Sequence, residues 1–121
     1  EQRGMRFGSH THTHPILARS SSERVRDELL QCWALLRQEL SSPSRTFCFP
    51  SGTLRDYSVR DQEIVSSVGL SAAVTAHGGR AGRLRTPSEM YAIPRLAYEP
   101  TTTGFQWQVG GVLGTVPGAR A

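Results

Sequence analysis

The chain has 121 residues, 37% of them hydrophobic, and a formal net charge of +4. No apolar run approaches the roughly 20 residues that span a bilayer, so no membrane-spanning helix is expected and the chain reads as one globular unit or a piece of one. All 14 basic residues are arginine, scattered from Arg3 to Arg120, which argues against a concentrated phosphate-gripping face.

The first residue is Glu1 rather than Met, and an upstream portion is expected. Met5-Arg6-Phe7-Gly8 predicts a short strand that ends at His10-Thr11-His12-Thr13-His14, with Pro15 stopping the ladder because it has no N–H to donate. Three of the four histidines therefore fall within five residues. Neutral imidazole is a leading zinc ligand, and a catalytic zinc usually takes three protein groups plus water. On a strand, positions 10, 12 and 14 face one way; on a helix, only His10 and His14 align. Either geometry lets the outer pair reach one ion, whereas His12 joins them only if the backbone turns. A plain His/Thr surface run is the alternative.

Ser20, with Glu23 three residues on, supplies a capping-box signature for a helix running to about Leu40. Val25, Leu29, Trp33, Leu36 and Leu40 form one apolar stripe, while Arg24, Asp27, Glu28, Arg37 and Glu39 fall largely elsewhere. Ser41-Ser42-Pro43 ends the helix, which should pack on a sheet.

Thr46-Phe47-Cys48-Phe49-Pro50 predicts a buried strand breaking at Pro50-Ser51-Gly52, and a helix over 59–68 follows, capped by Ser58 and stopped by Gly69. Residues 70–76 predict the next strand. A polar loop with Gly78, Gly79 and Gly82 then leads to residues 91–97, a last strand or edge segment. Its cluster of Arg80, Arg83 and Arg85 could touch an acidic polymer, but a solvated loop is favoured, and no recognition helix or zinc finger is visible. From Thr101 onward, Gly104, Gly110, Gly111 and Gly114 predict a poor helix former. Cys32 and Cys48 lack CxxC spacing and read as small buried hydrophobes rather than a disulfide.

Strand, helix, strand, helix, strand argues for parallel βαβ units, in which functional groups gather at the carboxyl ends of the strands. The histidine run stands at the end of the first strand and Phe49-Pro50-Ser51-Gly52 at the end of the second. Two candidate site loops thus share one rim.

These residues carry a family resemblance. Gly8-Ser9-His10-Thr11-His12-Thr13-His14-Pro15 resembles the His-(Ser/Thr)-x-x-His-Pro metal motif of polysaccharide deacetylases, the nodulation-deacetylase-like carbohydrate esterases. Phe47-Cys48-Phe49-Pro50-Ser51-Gly52 is similar to their Phe-Ala-Tyr-Pro-x-Gly motif. Two downstream pieces, Gly69-Leu70-Ser71-Ala72-Ala73-Val74-Thr75 and Ile93-Pro94-Arg95-Leu96, follow in the family's order. The resemblance implies a fold of the α/β class, a partial, distorted (β/α) barrel with parallel strands alternating with helices. It also implies removal of acetyl groups from N-acetylated glycans with a divalent metal, commonly zinc. His10 and His14 match the two metal-binding histidines, His12 falls on a variable position, and Thr11 matches the Ser/Thr that steadies the loop. The oxyanion donor implied by the family is the backbone N–H after the motif's proline Pro50, here that of Ser51.

An amide is a poor electrophile, which explains the residue types: a divalent metal polarises the acetyl carbonyl and lowers the pKa of coordinated water from ~15.7 towards ~7. A carboxylate base and a preorganised N–H complete the set. The family draws its base and third metal ligand from an Asp-Asp pair, which this chain lacks; its aspartates are Asp27, Asp56 and Asp61. The family's Leu-x-His general acid is also missing, and His77 reads as a loop histidine more readily than as its stand-in. Residues 1–98 are accordingly expected to be the C-terminal portion of a deacetylase domain and 99–121 a tail, in keeping with the ~250 residues of a full barrel. The leading function is hydrolysis of carbon–nitrogen, non-peptide bonds in an N-acetylated polysaccharide. The alternative is a non-catalytic or truncated relative that binds metal or glycan without turnover. An N-acetylated glycan is the expected partner and nucleic acid is not; an extracytoplasmic or cell-envelope location follows from the family alone.

Overall fold

A computed structural model describes residues 1–79, 81–82, 86–96 and 100–110, and its centre is a parallel pairing of two short strands. Strand β1 (Thr46–Cys48) pairs with β2 (Ala72–Val74) in the register Thr46↔Ala72, Phe47↔Ala73, Cys48↔Val74. A single parallel bridge adds Ser9 beside Phe47, and another adds Ile93 beside Val74. The result is four neighbouring segments in sequence order, all parallel, each joined to the next through a helix. A closed barrel is not what the described residues make.

The first expected strand, over residues 5–8, shrinks to the bridge at Ser9. Ser9 N–H donates to the Thr46 carbonyl at 2.8 Å and Cys48 N–H donates to the Ser9 carbonyl at 2.9 Å. Before that point Met5 and Phe7 are exposed, with no sheet neighbour to reward extension. The segment still approaches β1 closely, because a Cβ on Gly8 would lie 2.6 Å from Thr46 Oγ1. The last expected strand likewise reduces to Ile93, whose N–H donates to Ala73 O at 2.9 Å.

Helix α1 (Ser22–Glu39) carries the predicted stripe, with Val25 and Leu29 fully buried and Trp33 packed against the core. Its cap is Ser21, whose hydroxyl accepts from Arg24 N–H, rather than Ser20. Ser20 is already committed to the 3-10 turn Leu17–Arg19: its N–H donates to Leu17 O and its hydroxyl to Ile16 O. Helix α2 (Val59–Ser67) starts as expected at Ser58, whose N–H and hydroxyl both donate to Asp61 Oδ2 at 2.8 Å, and it ends at Gly69, which holds φ 86°.

Leu17, Val25, Leu29, Phe47, Phe49, Tyr57, Ile64, Val65, Leu70 and Ala73 form the core between these two helices and one face of the sheet. Asp61 is fully buried but not isolated: Arg60 donates to its Oδ1 at 2.7 and 3.1 Å and also to Leu17 O at 3.0 Å. That guanidinium therefore ties α2 to the turn following the histidine run.

Two helices appear where none was expected. α3 (Pro87–Met90) is opened by Thr86 and Glu89 in a capping box with proline in the first turn. α4 (Thr102–Val109) forms despite Gly104, with Thr101 accepting from the Gly104 N–H, and exposes Phe105, Trp107 and Val109. The local cap outweighs one glycine's propensity cost of about 1 kcal/mol. Among the described residues no helix is long and apolar enough to cross a membrane. Arg80, Arg83, Arg85 and Ala97 lie outside the described residues.

Candidate functional site

The histidine run is neither strand nor helix. It turns, with Thr11 at φ 66° and His14 at φ 59°, a conformation that costs a β-branched residue such as Thr11 about 1–3 kcal/mol unless its surroundings hold it. The turn brings the outer pair together: the His10 and His14 ring centroids are 4.8 Å apart at an interplanar angle of 74°. The ring of His12 makes no aromatic contact with either, and the side chains of all three are solvent-exposed.

One ring is fixed by the sheet. His10 Nδ1 lies 2.7 Å from the Cys48 carbonyl, which can only accept, so Nδ1 carries the proton and a neutral imidazole leaves Nε2 with its lone pair. A histidine prepared in this way is what a metal ligand requires.

Two staples hold the turn. Within it, the buried Thr11 hydroxyl donates to the His10 carbonyl at 2.5 Å and accepts the His14 N–H at 3.1 Å. From α1, Glu28 Oε2 accepts the N–H groups of His12 at 3.0 Å and Thr13 at 2.7 Å, and Oε1 accepts the Thr13 hydroxyl at 2.5 Å. Glu28 is only 7% exposed. Burial by itself would raise its pKa, but the hydroxyl and amide of Thr13, the amide of His12 and the Arg24 charge together hold it below the ordinary value. The sequence placed Glu28 off the buried stripe. Its spacing, three residues after Val25 and next to Leu29, was the signal that it borders that stripe.

The second loop sits on the same rim. Phe49 stacks on Tyr57 with ring centroids 4.3 Å apart and meets Phe47 edge-on at 5.0 Å, which anchors the strand end beneath Pro50. Ser51 then adopts φ 56°, and its N–H makes no hydrogen bond among the described residues. Gly52 follows at φ 67° with so little room that a Cβ would stand 2.7 Å from Ala76 N, and its carbonyl accepts that same N–H at 2.8 Å. The loop after β1 is thus tied to the chain leaving β2.

Cys48 and Cys32 are both free and half-buried. Burial pushes the Cys48 thiol up, against the pull of the nearby Arg95 charge, so it stays protonated and is a poor ligand at neutral pH. His77 follows β2 on the same rim, half-buried, with its Nδ1 enclosed and unpartnered among the described residues. There, no third His, Cys, Asp or Glu joins His10 and His14 in a cluster able to hold a metal.

Residues 1–73 match the family model for polysaccharide deacetylase. The chain is similar in structure to a Streptococcus pyogenes deacetylase, PplD, solved in complex with acetate: TM-score 0.69, 23% identity, 82% of this chain covered. The chain spans 41% of the length of that deacetylase. No curated protein matches.

Proposed function

The chain belongs to the polysaccharide deacetylase family, and from that premise we propose that it supplies the two-histidine side of a metal-dependent deacetylase acting on N-acetylated polysaccharides. The observation that carries this reading is the His10/His14 pair, rings 4.8 Å apart, with one Nδ1 locked on a backbone carbonyl. The donor set fits two corners of a tetrahedral zinc site. The third ligand and the base would come from a part of the domain that this chain does not include, within a barrel that such a part would help close.

When bound, a divalent metal supplies the Lewis acidity that makes an amide carbonyl open to water near neutral pH. The chain's own residues do the rest of what can be assigned. His10 and His14 would hold the ion through their ring nitrogens, that of His10 being Nε2 because its Nδ1 faces the Cys48 carbonyl. Thr11 keeps the two histidines on one turn. Ser51 N–H, unpartnered among the described residues and displayed at the end of β1 by Pro50 and Gly52, would donate to the oxyanion of the tetrahedral intermediate. Because that donor is main chain, the side chain at 51 is free to vary.

A second reading has its own support. With no third ligand clustered beside the pair among the described residues, a relative that binds metal or glycan without turnover fits the same geometry. Acetate release from a panel of N-acetylated glycans by the full-length protein, with and without chelator, separates the two. Chelator-sensitive release supports the enzyme. Binding without release supports the second reading.

A further inference from the structure

We propose that Glu28 is a positioning residue for the His10/His14 pair: its buried carboxylate, reached from α1, holds the backbone between the two histidines in the turn that makes them converge. The inference rests on the metal-binding reading above and adds to it a residue outside both loop motifs.

Three observations lead there. Glu28 is a charged group only 7% exposed, and such burial demands compensation. Its one cationic neighbour among the described residues, Arg24, is 4.0 Å away on a largely exposed side chain, too remote to be the reason. The compensation comes instead from the loop, as three donors on two consecutive residues: His12 N–H, Thr13 N–H and the Thr13 hydroxyl. Those two residues are the middle of the segment whose ends are His10 and His14.

The turn also needs holding. Thr11 and His14 both have positive φ, so the shape that brings the rings to 4.8 Å is not one the free peptide would prefer. Thr11 braces the first half by bonding to His10 and His14, but nothing else among the described residues bonds the amides of His12 and Thr13. Without Glu28 those amides would turn towards water and the rings would part. Outer-shell partners of this type are worth about 10–100-fold in metal affinity.

The test uses the full-length protein and Zn²⁺ titrated against a chromophoric chelator, with amide hydrogen exchange at His12 and Thr13 and a thermal melt on each variant. Ser21→Ala serves as the control, because it removes the α1 cap without touching the loop. Glu28→Ala should weaken Zn²⁺ binding about 10–100-fold and speed exchange at both amides, while Ser21→Ala changes neither. Glu28→Gln keeps a carbonyl acceptor and should recover a substantial part of the affinity. Affinity within twofold of wild type in a folded Glu28→Ala protein, or equal losses in Glu28→Ala and Ser21→Ala, overturns the proposal. If Glu28→Ala does not melt cooperatively, Glu28→Gln decides: faster exchange with measurably weaker binding supports the assignment, and any other combination overturns it. Failure of wild type to bind Zn²⁺ defeats the functional reading instead, and the exchange rates then still report whether Glu28 holds the turn.

Discussion

His10 and Cys48 stand 38 residues apart in sequence, yet the Nδ1 of one lies 2.7 Å from the carbonyl of the other. That contact exists because Ser9 bridges Phe47 in a parallel register, which sets the residues after each of them on the same rim. The sheet therefore selects the tautomer of a candidate metal ligand.

Zinc retention should divide the histidines. In the full-length protein, His10→Ala and His14→Ala are each expected to abolish it and His12→Ala to have a mild effect, because the His12 ring lies outside the 4.8 Å pair and its contribution is a backbone N–H. Metal content by elemental analysis after dialysis checks this. Equal losses at all three positions would contradict the assignment.

Gly52→Ala should be disproportionately harmful for the loss of one glycine. The added methyl meets Ala76 N at 2.7 Å and Phe49 O at 3.0 Å, both backbone atoms that cannot swing away, and it also forces φ 67° on an L-residue. A cost of about 1–3 kcal/mol is expected from backbone strain alone, read as a lowered melting temperature. Gly69→Ala, at φ 86° with open space around it, should suffer strain without collision and lose less.

Phe49→Ala should cost about 3–5 kcal/mol by leaving a cavity between Phe47 and Tyr57. Phe49→Leu keeps most of the volume and should cost less. Denaturant melts measure both. In the same variants the loop at Ser51 should become more exchange-labile, since Phe49 anchors the strand end from which it departs.

Acid should loosen the histidine turn in a defined direction. Glu28 has its carboxyl pKa held below the ordinary value of 4.5, so its contribution is complete above that value and is lost as pH falls through the lowered pKa of the folded state. The melting-temperature difference between wild type and Glu28→Gln should be constant from neutrality down to about pH 5 and shrink below it. A difference that grew on acidification would contradict the assigned shift.

Much of this protein was legible in one dimension. Helical spacing from Val25 to Trp33 announced α1, Ser58 with Gly69 bracketed α2, and the apolar run around Phe47 marked β1, because each signal is local and repeats with the period of its element. The His-Thr and Phe-x-Phe-Pro motifs point to the deacetylase family by themselves, and strand order puts both loops on one rim. Local cues also misled: Ser20 had the right chemistry for a cap but was already used by the preceding turn, and glycine content hid α4. The convergence of His10 with His14, the Cys48 carbonyl that orients one of them and the burial of Glu28 beneath the turn were decided only by the tertiary structure. They depend on which backbone groups meet across dozens of residues, and on two positive φ angles that the chain adopts only because those meetings hold them there.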